Sequence, residues 1–106
     1  MNIRFTDSNW QRFFTHNKTT TWRTTVRKEG IYDRVKGSLY KPVKTGEQVE
    51  LKPTISKPFA ALTDADALHD GFNSLQEFID ELTRLSPKLA ASTILYCHSA
   101  KVVKQG

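Results

Sequence analysis

Lys18-Thr19-Thr20-Thr21-Trp22-Arg23, running on to Val26, decides how the rest of the chain is read. β-Branched residues crowd it from Thr19 to Val26, and these lose side-chain freedom in a helix but pack well on a pleated surface, so the stretch predicts a strand. His16-Asn17 breaks the preceding helix, in which Trp10, Phe13 and Phe14 repeat at i, i+3 and i+4 and are expected in the core. Lys18 therefore sits in a turn, with Arg23 five residues further on, inside the ladder. Alternation places Thr19, Thr21 and Arg23 on one face and Thr20 and Trp22 on the other. A hydroxyl beside a guanidinium outlines a phosphate or carboxylate site, because Arg presents a planar fork of donors. Lys18, free of the ladder, can swing its ammonium onto the same pocket. A solvated, Thr-rich edge strand would show the same spacing.

Upstream, Asn2 to Phe5 alternates as a short strand, and Asp7 or Ser8 can cap the Trp/Phe helix. Downstream, Arg27 to Gly46 contains Gly30, Gly37, Pro42 and Gly46 without periodicity, which predicts a long loop or a loose hairpin. Lys44-Thr45-Gly46-Glu47 turns into a half-buried strand, Gln48 to Leu51, which Thr54 to Ser56 continues beyond Pro53. Thr63-Asp64-Ala65-Asp66 has the form of a capping box and opens a short helix that Gly71 ends as its C′ residue. Ser74-Leu75-Gln76-Glu77 opens another, with Leu75, Phe78, Ile79, Leu82 and Leu85 forming an apolar stripe assigned to the core. Thr93 to His98 reads as a final buried strand with a basic tail behind it, and His98 as a structural residue. The fold class is α+β: a small, curled sheet, mixed or antiparallel, with two or three helices packed on its rim.

At 106 residues there is room for a single domain. Apolar residues at 38%, charged residues at 25% and a mean hydropathy of −0.51 are ordinary globular values. One cysteine, Cys97, excludes an internal disulfide framework, and with three scattered histidines it argues against a structural zinc site. No metal or cofactor is expected. No apolar run approaches the ~20 residues a membrane span needs, and the N-terminus lacks a signal-peptide core. The expectation is a soluble protein of the reducing cytoplasm with no membrane partner. The net charge of +5 is uneven: residues 1–58 hold twelve Lys/Arg against five Asp/Glu, residues 59–85 one against six, and residues 86–106 three against none. A basic face beside an acidic segment points to a nucleic-acid or phosphate-bearing partner.

Several ordered motifs together resemble the ASCH domains, a branch of the PUA-like β-barrel superfamily. Lys18 to Arg23 is similar to the family's G-x-K-x-x-x-x-R signature, with His16 where the signature has Gly. The turn then takes its left-handed residue at Asn17 or adopts another shape. Lys44-Thr45-Gly46-Glu47-Gln48-Val49 is similar to the family's K-x-G-D-x-V turn, and Leu62 to Ala67 followed by Asp70-Gly71-Phe72 to its L-T-x-E-D-A…D-G-F segment. The resemblance covers nearly the whole chain and implies a single ASCH-like domain over residues 1–106. The implied fold is a small PUA-like β-barrel with a cleft between the signature strand and the later helices.

Members of that family are thought to bind RNA, some cleave single-stranded RNA, and a small bacterial group hydrolyses N4-acetylcytidine to cytidine. The first functional reading is therefore an RNA-binding domain, acting on single-stranded RNA with or without phosphodiester cleavage. In it Lys18 and Arg23 hold a phosphate, Lys28, Arg34, Lys36, Lys41 and Lys44 track the backbone, and Tyr32 and Tyr40 stack bases. His16 or His69 could then supply acid or base. The alternative is an N4-acetylcytidine amidohydrolase. For it the resemblance implies a catalytic set of Lys18 and Thr21, with Asp70 standing where the family has Glu. Thr21 would be the nucleophile, Lys18 its base if burial lowers its pKa, and Asp70 the acid for the leaving amine. The third reading is a non-catalytic module in which Tyr32, Tyr40 and their loop bind a protein.

Overall fold

Four further strands join the Thr-rich strand, which lies at one edge, in a single sheet in the computed structural model, which describes residues 1–38 and 40–105. In chain order the elements are β1 (Asn2–Arg4), α1 (Asp7–Thr15), β2 (Thr20–Arg23), β3 (Gly30–Gly37) and β4 (Pro42–Pro58). A 3-10 turn (Phe59–Ala61), α2 (Asp64–His69), α3 (Leu75–Leu85) and β5 (Ile94–Lys104) complete them. The strands form one sheet in the order β1-β3-β4-β5-β2, with β1 parallel to β3 and every other pair antiparallel. The result is an α+β fold with a curled, half-barrel sheet and three helices.

The curl has a local cause. β4 is 17 residues long, and its register slips against β5 between Gln48 and Val49 and again between Pro53 and Ser56. Bulges bend a strand and sharpen its twist. Pro53, which cannot donate to a ladder, sits at one of them, where a central strand tolerates it. A third slip lies between Asp33 and Val35 on β3. The sheet bends until its two edge strands, β1 and β2, approach one another, and Arg27 Nη1 spans the gap to the Asn2 carbonyl at 3.1 Å.

Two hydrophobic clusters fill the fold. Ile3, Phe5, Trp10, Tyr32, Val49, Leu51 and Ala100 pack α1 against the sheet. Trp22, Leu62, Ala67, Phe72, Phe78, Leu95 and Cys97 pack α2 and α3 against it. The helices start where their side chains can satisfy free N–H groups: Thr63 and Asp66 form a reciprocal capping box on α2, and the Ser74 hydroxyl accepts from Glu77 N on α3. Glu77 completes no second box, since its carboxylate lies 3.4 Å from Arg12.

Several expectations change. Thr6, not Asp7 or Ser8, caps α1 and accepts from Asn9 N. Phe14 lies outside the core and is exposed. β2 stops at Arg23 instead of Val26, because the chain turns back there so that Arg27 N reaches His98 Nε2 at 2.9 Å. Of the two readings of Arg27 to Gly46 the hairpin holds and the long loop does not: β3 and β4 pair through it from Gly30 onward, and of that stretch only Leu39 lies outside the described residues. The basic tail is the second half of β5, paired with β4 as far as Lys104. Tyr32 and Arg34 are buried, not solvent-facing.

Candidate active site

The turn after α1 positions the central cation. Asn17 takes the left-handed conformation, φ 52°, which Asn tolerates better than other non-glycine residues. Lys18 N then bonds the Arg12 carbonyl at 3.1 Å, closing the end of α1, and Thr19 N bonds the His69 carbonyl at 2.8 Å, joining this turn to the end of α2. From this turn the Lys18 side chain runs inward and is 3% exposed.

Its partner arrives from α2. Asp70 is the C-cap residue, and Gly71 follows with φ 86°, where a Cβ would come 2.9 Å from Arg12 Cβ and 3.1 Å from Lys18 Cβ. Only glycine lets the helix end approach this closely. The Asp70-Gly71 pair therefore does more than end a helix. It sets Asp70 Oδ2 2.9 Å from Lys18 Nζ, so the shorter acid is within reach. Thr20 Oγ1 donates to the other oxygen, Oδ1, at 3.2 Å.

Thr21 and Arg23 share a face, as alternation predicts, and Arg23 Nε donates to Thr21 Oγ1 at 3.2 Å. The guanidinium also stacks over the Phe5 ring at 4.6 Å. Thr19 does not join them; it is exposed, with its hydroxyl on the His69 carbonyl. Thr20 and Trp22 are not walled off on the far side either. The edge strand is wrapped by α2 and α3, so Thr20 anchors Asp70 and Trp22 lines the cavity.

That cavity, about 250 Å³, lies at the seam of the two clusters. Lys18, Thr21, Arg23 and Asp70 are its polar side; Phe5, Trp22, Phe72, Phe78, Leu82 and Leu85 are its apolar walls. The far end of the α3 stripe thus faces the cleft, and Leu85 is exposed there. Asn9 and Glu81 stand on the rim, joined by a 2.8 Å hydrogen bond. Asn9 Oδ1 and Trp22 Nε1 are buried without a protein partner.

Burial sets the electrostatics. Desolvation holds the Lys18 ammonium below its ordinary value; Asp70 opposes that, and the Arg23 and Arg12 charges reinforce it. Desolvation pushes the Asp70 carboxyl up, against the pull of Lys18. Both shifts favour the neutral forms of the two groups, which stand 2.9 Å apart. Burial and the neighbouring Arg27 bring Arg23 down to about 10, which leaves it charged at neutral pH. His98, fully buried behind β2, accepts from Arg27 N through Nε2 and reaches the Thr21 carbonyl from Nδ1 at 3.3 Å. Burial lowers its pKa, and the neutral ring with its proton on Nδ1 satisfies both bonds.

The other predicted residues do not reach this cleft. Lys28, Lys36, Tyr40, Lys41 and Lys44 are exposed on or beside the β3–β4 hairpin. Tyr32 is in the first core cluster, its hydroxyl donating to the Lys28 carbonyl at 2.6 Å, so it cannot stack a base. Arg34 is buried between Asp7 and Glu47 at 2.6 Å each and cannot track a phosphate backbone. His16 and His69 do not line the cavity. Sequence reasoning missed Trp22, Leu82 and Leu85 as wall residues and Glu81 on the rim; the apolar stripe of α3 hinted only at Leu82 and Leu85.

Among the described residues, no cluster of His, Cys, Asp and Glu could hold a metal, and no helix is long and apolar enough to cross a membrane. Comparison of the chain with protein-family models, curated proteins and solved structures finds no match.

Proposed function

We propose that this chain is an ASCH-type, PUA-like domain that works in the cytoplasm and hydrolyses the amide of N4-acetylcytidine, releasing cytidine and acetate. One observation carries the reading: Lys18, Thr21, Arg23 and Asp70 line the same cleft, with Lys18 and Asp70 buried against each other. Its volume, about 250 Å³, lies just below the usual range of ligand cavities, which suits a nucleoside better than a polymer. Its apolar walls suit a base, and the unpartnered Asn9 Oδ1 and Trp22 Nε1 offer an acceptor and a donor to the base edge.

The chemistry follows from the placement. The Thr21 hydroxyl attacks the acetyl carbon as Lys18, in its neutral form, takes the hydroxyl proton. Lys18 Nζ rests on Asp70 instead of Thr21 Oγ1, so the transfer needs the amine to swing along the cleft; catalytic contacts often tighten only with substrate bound. Arg23, already donating to Thr21 Oγ1, stabilises negative charge as it develops beside that oxygen. The C–N bond breaks as the leaving N4 takes a proton from the Lys18–Asp70 pair. Water then hydrolyses the acetyl-threonine ester, releasing acetate and restoring the hydroxyl.

Incubation of the protein with N4-acetylcytidine should yield cytidine by chromatography, and Lys18→Met should lower the rate by about 10²–10⁴-fold, the range of a lost general base. No cytidine above the Lys18→Met level would overturn the reading. The RNA-binding reading loses Tyr32 and Arg34 to the core but keeps the exposed cations and Tyr40, which is 95% exposed. Binding to single-stranded RNA that weakens steeply with salt would favour it.

A further inference from the structure

We propose that the cleft continues past Arg23 into a second subsite, walled by Arg23, Thr24, Thr25 and Arg27, that takes the phosphate of a nucleotide. The proposal rests on the first cavity's being a nucleoside site and extends its substrate from nucleoside to nucleotide. A second cavity of about 200 Å³ shares Trp22, Arg23, Leu82, Leu85 and Ser86 with the first, so the two are neighbours along one wall.

The two halves differ in charge. The first holds Asp70 and Glu81; the second is lined by Arg23 and Arg27 and by no carboxylate. Among the described residues neither of these arginines forms an ion pair, although eight such pairs occur elsewhere in the molecule. Arg27 gives Nη1 to the Asn2 carbonyl, and Arg23 gives Nε to Thr21. The Arg27 charge is near enough to disfavour that of Arg23, itself held against Phe5. Two guanidiniums meeting in a concave wall without a counter-charge create a site for a multivalent anion, and planar forks suit phosphate oxygens. Thr24 and Thr25 are exposed at the bend between the two arginines and add hydroxyl donors. Trp22, on the shared wall, has a buried indole N–H without a partner.

Titration of the full chain with inorganic phosphate, cytidine and cytidine 5′-monophosphate, read by tryptophan fluorescence and by the Trp22 indole N–H resonance, tests this. The 5′-monophosphate should bind at least about tenfold more tightly than cytidine, through a charge-assisted contact. Arg27→Gln should reduce that advantage to within about twofold while leaving cytidine affinity unchanged, and Arg27→Lys should restore part of it. Thr25→Ala, at an exposed position, should retain the fold and weaken only the phosphate-bearing ligand. Equal affinity for the two ligands in the unmodified protein, or an advantage that survives Arg27→Gln, would overturn the subsite. Inorganic phosphate that binds through Arg27 while cytidine does not bind would sink the nucleoside reading and leave the anion subsite standing. Cytidine binding without any phosphate effect would do the reverse. An oligocytidylate that outcompetes the monophosphate would overturn the mononucleotide in favour of a polymer.

Discussion

Arg34 and Lys18 are both cations with side chains almost wholly buried, 4% and 3% exposed, yet they are held in opposite ways. Arg34 meets Asp7 and Glu47, donates from Nε and Nη2 to the Phe5 carbonyl, and stacks over Trp10 at 5.2 Å. Its partners gain by the contact. The Arg34 hydrogen bond, with Lys36, holds Asp7 below its ordinary value, and Arg34 and Thr45 draw Glu47 down although burial pushes it up. Lys18 meets one carboxylate, itself buried, with the Arg23 and Arg12 cations nearby. There burial wins on both partners, moving Lys18 down and Asp70 up. A buried ion pair that stabilises its charges acts as a clamp. One whose charges are disfavoured is poised to exchange a proton, and such groups concentrate at functional sites.

The largest effect separating the two should come from Arg34→Met. Glu47 would lose its main counter-charge and the Phe5 carbonyl both its guanidinium donors, so stability should fall by about 3 kcal/mol. Urea unfolding measures it, and at a pH and temperature where the variant stays folded the proposed hydrolysis of N4-acetylcytidine should match that of the unmodified protein. A loss of hydrolysis without a loss of stability would reverse the assignment, making Arg34 the site and Lys18 the clamp.

The clamp was hidden from sequence reasoning, and its geometry says why. Asp7, Arg34 and Glu47 come from three separate elements, and the Gly-rich Arg27–Gly46 stretch hid an alternation interrupted by the slip between Asp33 and Val35. Tyr32 and Arg34 looked like exposed loop residues for the same reason. Local signals were legible: the cap of α2 at Thr63, the glycine after it, the break at Asn17, the shared face of Thr21 and Arg23. Each depends on contacts within a few residues. Asp70 entered through family resemblance, and the structure brings it to Lys18 across 52 positions. Arg27 and the end of the α3 stripe were unreadable because the cleft exists only once the sheet curls and its edges approach.

A smaller effect should come from His98, which links the Thr21 carbonyl to Arg27 N behind the site. Its pKa is lowered in the folded chain, first by burial and then by the Arg23 and Arg27 charges, against hydrogen bonds that raise it. Its contribution to stability is therefore complete above its ordinary 6.5 and is withdrawn as pH falls below that toward the folded value. Unfolding free energy measured from pH 7.5 downward should decline through this window by at most about 1.4 kcal/mol per pH unit. The lowered carboxylates Asp7 and Glu47 withdraw theirs only further into acid. His98→Gln should flatten the decline between pH 6.5 and 5; an unchanged slope would show that His98 is not its source.

The effect that separates clamp from site most sharply should be the absence of any stability loss when the whole Lys18–Asp70 pair is replaced. Asp70, raised in the fold, adds stability only in acid, and what it adds is lost as pH climbs through its folded value. Lys18, lowered in the fold, adds it only in alkali, above its ordinary 10.5, and loses it as pH falls through its folded value. Across the neutral range both therefore oppose folding. Lys18→Met with Asp70→Leu removes two desolvated charges together, and such exchanges are neutral or stabilising by about 1–4 kcal/mol. The double variant should unfold at the same urea concentration as the parent or a higher one, with cytidine release abolished. Lys18→Met alone strands Asp70 and should be less stable than the double variant, and adding Asp70→Leu alone completes the cycle that isolates the coupling between the two. A double variant markedly weaker than the parent would mean that the pair holds the fold as Arg34 does, and its charges would then need no catalytic explanation.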